Sequence, residues 1–428
     1  MDSTYIIDDV QIWNSDGIID KCHVLVKDGV VDKLSDEPIT APYKHIKASG
    51  MVLIPAGVDP QVHLRVPGQK EKEIAHTGVA AAIKGGYGAI LNMPNTKPVI
   101  DNVEVCNKTL EEIAPVEEAT GVKVLLSAAI TKGQVGKEAT DYQGLKDWGV
   151  AAFTDDGVGV TDDDLMRQVF AASSESGIPV LQHAETLRHG GILASGPLQR
   201  ALKLPPYPAS AETKMVARDL ELLREYPNAK YHVLHISSKD TIDIVDKAKK
   251  SGLTATCEVS PHHLWFCSED IDESNTSFKM NPPLRSREDR EALQKALSEG
   301  KIDFVATDHA PHEEEIKSHS FTTAAYGTIG LETALQVLLS LYHQGKLSRE
   351  RLVAVFSTAP AKFLSLDKSY GQIKAGEVFR AVLLKPDEKQ IIKKNHFKGQ
   401  SKNSCFLGSK LYGKIHRVFL GKHSHICI

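Results

Sequence analysis

A pattern recurs along this chain: a short apolar run ends in histidine or aspartate, and an amphipathic stretch follows it. The first run, Ile54-Pro-Ala-Gly-Val-Asp59-Pro-Gln61-Val-His63-Leu-Arg65, spaces Gln61, His63 and Arg65 two apart, so a strand turns all three to one face. Later runs repeat the design: Val150 to Asp155-Asp156-Gly157, Ile178 to His183-Ala-Glu185, Ala229 to His232-Val-Leu-His235, and Phe304 to Asp308-His309-Ala-Pro-His312. Between them, Glu212 to Tyr226, Asp240 to Ser251 and Arg287 to Glu299 carry apolar residues at helical spacing. Strands alternating with helices imply parallel βαβ units. Parallel strands that end in His and Asp imply a (β/α)8 TIM-type barrel, which builds its active site at the carboxyl ends of its strands. A single buried histidine is ordinarily structural. A set of strand ends carrying such ligands points instead to a metal site, and Arg65 points to an anion site beside it.

The two ends of the chain read differently. Residues 4 to 54 alternate short β-rich runs with turns, and Asp28-Gly29 between two apolar runs is a hairpin signal. The same texture returns after about residue 370, in Gly371-Gln-Ile, Ala381-Val-Leu-Leu and Lys414 to Gly421. A composite β-sandwich built from 1–54 and 367–428 around a barrel over 55–366 is therefore expected. The terminal His423-Ser-His425 reads as a solvated tail rather than a metal site.

At 428 residues, with 51 basic and 55 acidic side chains and a formal net charge of −4, the chain can bury a large core and has no use for a polyanionic partner. Nucleic acid and membrane are both excluded as main partners, since no apolar run approaches the roughly 20 residues a span requires. The six cysteines are scattered without a Cys-x-x-Cys pair and no secretory leader precedes them, which predicts reduced thiols in a cytoplasmic protein.

Taken in order, Val-His63-Leu-Arg65-x-Pro-Gly, Asn92-Met-Pro-Asn95-Thr-x-Pro, Phe153-Thr-Asp-Asp156-Gly, His232-x-x-His235-x-Ser, Lys279-Met-Asn281-Pro-Pro-Leu-Arg and Ala306-Thr-Asp308-His-Ala-Pro-His312 resemble the class I dihydroorotases of the amidohydrolase superfamily. The resemblance runs from about Leu53 to Leu366; any one motif is weak, and all of them in this order are specific. It implies reversible, zinc-dependent cyclisation of N-carbamoyl-L-aspartate to L-dihydroorotate in pyrimidine biosynthesis. It implies that Asp156, His183 and His235 form one metal position, and that Asp156 bridges to a second one held by His63 and Asp308, for one or two Zn2+ per subunit. Asp308 is then also general base on the bridging water and general acid toward the leaving nitrogen. Arg65, Asn95 and His312 are implied to hold the substrate carboxylate, and Asn281 to read the ring edge. A homodimer and a complex with aspartate carbamoyltransferase also follow as expectations from the resemblance.

Some residues have plainer readings. His232, three before His235, points to the opposite strand face and reads as a packed histidine behind the site or in the core; His309 likewise turns away from Asp308. His262-His263 receives no role. Adjacent Asp155 and Asp156 face apart, and the spacing implied by the resemblance selects Asp156 for the site, leaving Asp155 to orient the turn. The main departure is Gln61, where the family usually has histidine: an amide oxygen is a weaker zinc ligand than imidazole, so the second metal position is open to question. Val66, where Glu is usual, and Val378-Phe-Arg380-Ala381 are lesser departures. Two other readings therefore stand beside the first. One is a degenerate scaffold for aspartate carbamoyltransferase, favoured by Gln61. The other is a hydantoinase, dihydropyrimidinase or allantoinase, opposed by Arg65 and by Thr154-Asp155-Asp156, where those relatives commonly carry a modified lysine. The polar segment from Pro311 to Gly330 is expected to form a lid, with Ala325 to Gly327 near the ring.

Overall fold

Apolar runs too short for helices form the inner ring of the molecule. A computed structural model describes residues 4–187 and 190–427. Its ring strands are β1 (Gly57–Val62), β2 (Tyr87–Asn92), β3 (Lys123–Ala128), β4 (Ala152–Thr154), β5 (Val180–Gln182), β6 (Tyr231–Val233), β7 (Ala255–Val259) and β8 (Phe304–Val305). Each is hydrogen-bonded in parallel to its neighbours in chain order. The ring closes just above β1 and β8, where Val62 bridges His309 and the His63 N–H donates to the His309 carbonyl at 3.0 Å. Between successive strands run α1 (Ala75–Gly85), α2 (Val103–Thr120), α3 (Tyr142–Trp148), α4 (Asp163–Ser176), α5 (Ser210–Leu223), α6 (Lys239–Lys250) and α7 (Arg287–Ser298), and α8 (Ala334–His343) follows β8. This is the expected (β/α)8 barrel.

Local chemistry explains the helix ends. Asn102, Ser238 and Ser286 accept the backbone N–H of Val105, Asp240 and Asp289 at the starts of α2, α6 and α7. The helices expected over 212–226, 240–251 and 287–299 are α5, α6 and α7, with ends shifted by up to three residues. Inside the ring, Val58, Ala89, Leu91 and Leu181 pack together, and Ala361 and Leu364 join them. The barrel interior is thus filled, with His232, Thr256 and Glu258 as a hydrogen-bonded polar group within it.

Strands from both termini make a second, eight-stranded sheet. Val52–Pro55 joins the two ends, pairing in parallel with Tyr5–Asn14 and antiparallel with Arg380–Ile391. Tyr5–Asn14 also pairs with Lys44–Lys47, so the sheet forks there and encloses its own core, with Tyr5 stacked on Phe419 at 5.5 Å. Asp28 and Gly29 form the expected hairpin turn at φ 49° and 78°. A Cβ on Gly29 would lie 2.4 Å from the Gly421 carbonyl carbon, so only glycine fits. Two expectations fail here. Gly371-Gln-Ile is loop, with the Ile373 N–H donating to Asn14 Oδ1 at 2.9 Å. His423-Ser-His425 is no tail: His423–Ile426 pairs with Lys410–Leu420, and His425 Nε2 lies 2.7 Å from the Thr120 carbonyl. That strand supplies backbone hydrogen bonds which the sequence near a chain end did not advertise.

All six cysteines are free and buried, as the scattered spacing predicts. Among the described residues no helix is long and apolar enough to cross a membrane.

Candidate active site

The ends of β1, β4, β5, β6 and β8 converge on one cavity of about 260 Å³ at the rim. His63, Arg65, Asn95, Asp156, His183, His235, Asn281, Asp308 and His312 all line it. Every residue named for the site from the sequence is therefore brought together, except Gln61, which lies completely buried immediately beneath.

Asp156 is the hub. Its Oδ1 lies 3.6 Å from His183 Nδ1 and 3.8 Å from His235 Nε2, and its Oδ2 lies 3.2 Å from His63 Nε2. Potential ligand atoms of Asp156, His183 and His235 all fall within 4.8 Å of one another, the one such group among the described residues. Beside it, His63 Nε2 lies 3.1 Å from Asp308 Oδ1. Burial alone would raise the Asp156 carboxyl, but the imidazoles of His183, His235 and His63 around it hold it well below the usual carboxylate range. Burial alone would likewise depress His183; Asp156 and Glu185 overrule it and raise it to about 9. Carboxylates that attract a proton so strongly attract a cation by the same field.

Each ligand-type side chain is oriented from behind. Asn95 Oδ1 sits 2.8 Å from His63 Nδ1 and accepts its N–H, which orients the ring so that Nε2 faces Asp156 and Asp308. Glu185 Oε2 lies 3.3 Å from His183 Nε2, and Asn281 Nδ2 donates to the same carboxylate oxygen at 2.8 Å. Gln61 Nε2 donates to Asp156 Oδ1 at 3.2 Å, while Gln61 Oε1 is buried without a hydrogen-bond partner among the described residues. An acceptor buried in that way costs roughly 1–3 kcal/mol unless something else meets it. With two imidazoles and a carboxylate close by, the donor set fits a divalent cation. Arg65, His235 and Asp308 have positive φ, at 61°, 30° and 47°. Backbone strain of this kind, of order 1–3 kcal/mol each, is held in place where the strands end and the side chains must turn inward.

The anion side is equally built. Arg65 Nε donates to the Pro311 carbonyl at 3.3 Å, and Nη2 lies 3.4 Å from His312 Nε2. Burial lowers Arg65 to about 10, opposed by Asp308 and Asp156, so it remains cationic at neutral pH. Burial and then the Arg65 charge lower His312 to about 2. His312 is thus neutral, and its Nε2 can accept from the guanidinium.

The residues with plainer readings fall outside. Asp155 turns away and accepts the N–H groups of Ile130 and Thr131 at 2.8 and 3.0 Å and the Thr131 hydroxyl. His232 does not turn away as expected: in register with Leu181 and Thr256 it points into the barrel beneath the site, stacked on Phe304 at 5.0 Å, with Nδ1 2.7 Å from Thr256 Oγ1 and Nε2 3.1 Å from Glu258 Oε2. His309 Nδ1 accepts the N–H groups of Gly330 and Leu331 at 3.3 and 3.5 Å. His262 and His263 are buried as a tilted pair.

The amidohydrolase family model matches residues 52–420, nearly the whole chain. A dihydroorotase of Bacillus pumilus is 41% identical over 364 residues, covering 84% of each chain, and one of Bacillus subtilis is 40% identical over 371 residues, covering 86% of this chain and 85% of that one. The chain belongs to the amidohydrolase family, and within it to the dihydroorotases. Among solved structures, an L-hydantoinase (dihydropyrimidinase) from Arthrobacter aurescens superposes with a TM-score of 0.84 over 97% of this chain and 94% of that one, at 24% identity. A D-hydantoinase gives 0.83 over 100% and 95%, at 22%. At that identity the likeness establishes a shared amidohydrolase fold.

Two further parts of this amidohydrolase site escaped sequence reasoning. Glu185 stood in the quoted run, two residues after His183, but both lie beyond the strand, which ends at Gln182, so no periodic signal marked it. Asp59 is the other: it accepts the Thr307 N–H at 3.0 Å, the Thr307 hydroxyl at 2.6 Å and the Gln61 N–H at 3.2 Å, clasping β1 to β8 beneath the site. No local pattern marks a contact so distant in sequence.

Proposed function

We propose that this protein is a metal-dependent dihydroorotase that interconverts L-dihydroorotate and N-carbamoyl-L-aspartate, with zinc as its metal. The observation that carries this reading is Arg65, a buried guanidinium on the wall of the same cavity as the Asp156, His183 and His235 group. A cyclic amide whose ring bears a carboxylate needs both. In this reading Asp156, His183 and His235 hold one metal position, and His63 and Asp308, with Asp156 shared, hold a second. A divalent cation there supplies Lewis acidity, providing hydroxide at neutral pH and polarising the amide carbonyl.

The chain's own groups do the rest. Arg65 offers its planar fork to both carboxylate oxygens, and neutral His312 and Asn95 border the same space. Asn281, its Nδ2 held by Glu185, lines the cavity where its amide meets the ring edge. Asp308 lies on the cavity wall beside His63, where it takes a proton from the attacking water and returns one to the departing ring nitrogen. Asn95 keeps the His63 tautomer fixed, and Glu185 does the same for His183. A carboxylate-free ring finds no use for Arg65, and no lysine lines the cavity among the described residues, which separates this site from the modified-lysine chemistry weighed above.

Arg65→Ala tests the assignment. Loss of a charge-assisted bidentate pair is expected to cost about 2 kcal/mol in kcat/KM for L-dihydroorotate, roughly thirtyfold, while turnover of 5,6-dihydrouracil hardly changes. Equal loss on both rings would remove Arg65 from the carboxylate site.

A further inference from the structure

Beside the site runs a loop, residues 320–327, whose inward carbonyls are met by two buried lysines. Lys279 Nζ donates to the carbonyls of Thr322 and Ala324 at 2.8 and 2.7 Å, and Lys317 Nζ to those of Ala325 and Gly327 at 2.8 and 3.0 Å. The lysines come from different segments: Lys279 precedes Asn281 by two residues, and Lys317 ends the short helix Glu314–Lys317 that follows β8. Lys279 is 2% exposed and Lys317 7%. Their hydrogen bonds run to these loop carbonyls, and among the described residues neither ammonium is paired with a carboxylate. The Lys279 carbonyl also accepts the Gly327 N–H at 2.8 Å, and its ammonium lies 4.4 Å from the centroid of the Tyr326 ring. Tyr326 and Gly327 in turn line the cavity.

A buried ammonium is costly, and an apolar side chain of similar size commonly serves stability as well or better. What the apolar chain cannot do is satisfy four loop carbonyls at once. We propose that Lys279 and Lys317 are positioning residues, a two-lysine clamp that fixes the 320–327 loop against the site before substrate arrives and so sets how tightly the cyclic amide binds. Holding Tyr326 and Gly327 in place in advance removes the ordering cost that substrate would otherwise meet. Burial lowers Lys279 to about 8, and burial with the neighbouring Lys279 charge lowers Lys317 to about 7, as expected for ammoniums held by dipoles rather than by counter-charges. The clamp also ties this loop to the segment that carries Asn281.

The effect on affinity rests on the dihydroorotase reading; the effect on the loop does not. In Lys279→Met and Lys317→Met, amide hydrogen exchange over residues 322–327 is expected to speed up by ~10-fold or more. KM for L-dihydroorotate is expected to rise at least ~5-fold while kcat changes less than ~2-fold and metal content stays at the wild-type level. Wild-type exchange rates in both variants would overturn the clamp, and faster exchange with unchanged KM would overturn its role in binding. Should a methionine variant fail to fold, Lys279→Gln and Lys317→Gln, one atom too short to reach both carbonyls, take its place; faster exchange is expected there too, and wild-type exchange would overturn the proposal. If the wild type opens no dihydroorotate, the function reading fails while exchange alone still decides the clamp.

Discussion

In the proposed function, Gln61 is the residue that bears most on how many metal ions the site holds. Its amide N–H group reaches Asp156 while its oxygen lies buried and unmatched, so the side chain is half satisfied by protein alone. Gln61→His would exchange that neutral amide for an imidazole beside Asp156, His63 and Asp308, and is expected to raise bound metal toward a second equivalent per chain. Elemental analysis checks this; an unchanged stoichiometry would show that position 61 does not reach the metal. Strand alternation from Gln61 to Arg65 was only partly the right reason: the strand ends at Val62, and Arg65, at φ 61°, reaches the cavity it shares with His63 through a left-handed turn. The positive φ values of Arg65, His235 and Asp308 were not legible, since tertiary contacts rather than residue type impose them.

At the scale of strands, the seam between β1 and β8 is what sets His63 opposite Asp308. Asp59 stitches it through Thr307 and the Gln61 N–H, and burial pushes its carboxyl up to about 7, against the pull of those same hydrogen bonds. Asp59→Ala leaves these donors buried and unmet and is expected to cost about 3 kcal/mol in stability, measured by chemical denaturation. A loss within experimental error would mean that water or side-chain rearrangement replaces the stitch. The alternation of strand and helix was readable because α5, α6 and α7 have apolar stripes and the ring strands end in polar residues. The sheet that unites Val52–Pro55 with Arg380–Ile391 was visible only as β texture at both ends, because no local signal fixes a pairing between segments so far apart. His423–Ile426 was misread for the same reason.

Across the whole molecule, two opposing sets of buried groups shape acid stability. Burial lowers His232, His263 and His309 to about 3, while it raises Glu258, Glu332 and Asp59 to about 8, 8 and 7. Histidines depressed in the folded state bind protons better when unfolded, so their contribution is full above an unfolded pKa near 6.5 and is lost as pH falls below it. Carboxyls raised in the folded state do the reverse: stability grows as pH falls from their folded values until the unfolded groups also protonate, near pH 4.5. The two sets therefore offset each other between about pH 6.5 and 4.5, and below that the histidines, at up to about 1.4 kcal/mol each per pH unit, are joined by Asp156, whose depressed carboxyl also loses its contribution as pH falls. Denaturation of metal-free protein is expected to show a shallow profile followed by a steep fall; a steady decline beginning at pH 6.5 would contradict this balance. The central claim is that the strand-end cluster and Arg65 together make a dihydroorotase. Its most direct test is steady-state ring opening of L-dihydroorotate by the purified protein, chelator-treated and then resupplied with zinc, beside 5,6-dihydrouracil. Zinc-restored turnover that strongly favours dihydroorotate is the predicted result, and a folded, zinc-loaded protein that opens neither ring, or both equally well, would contradict it.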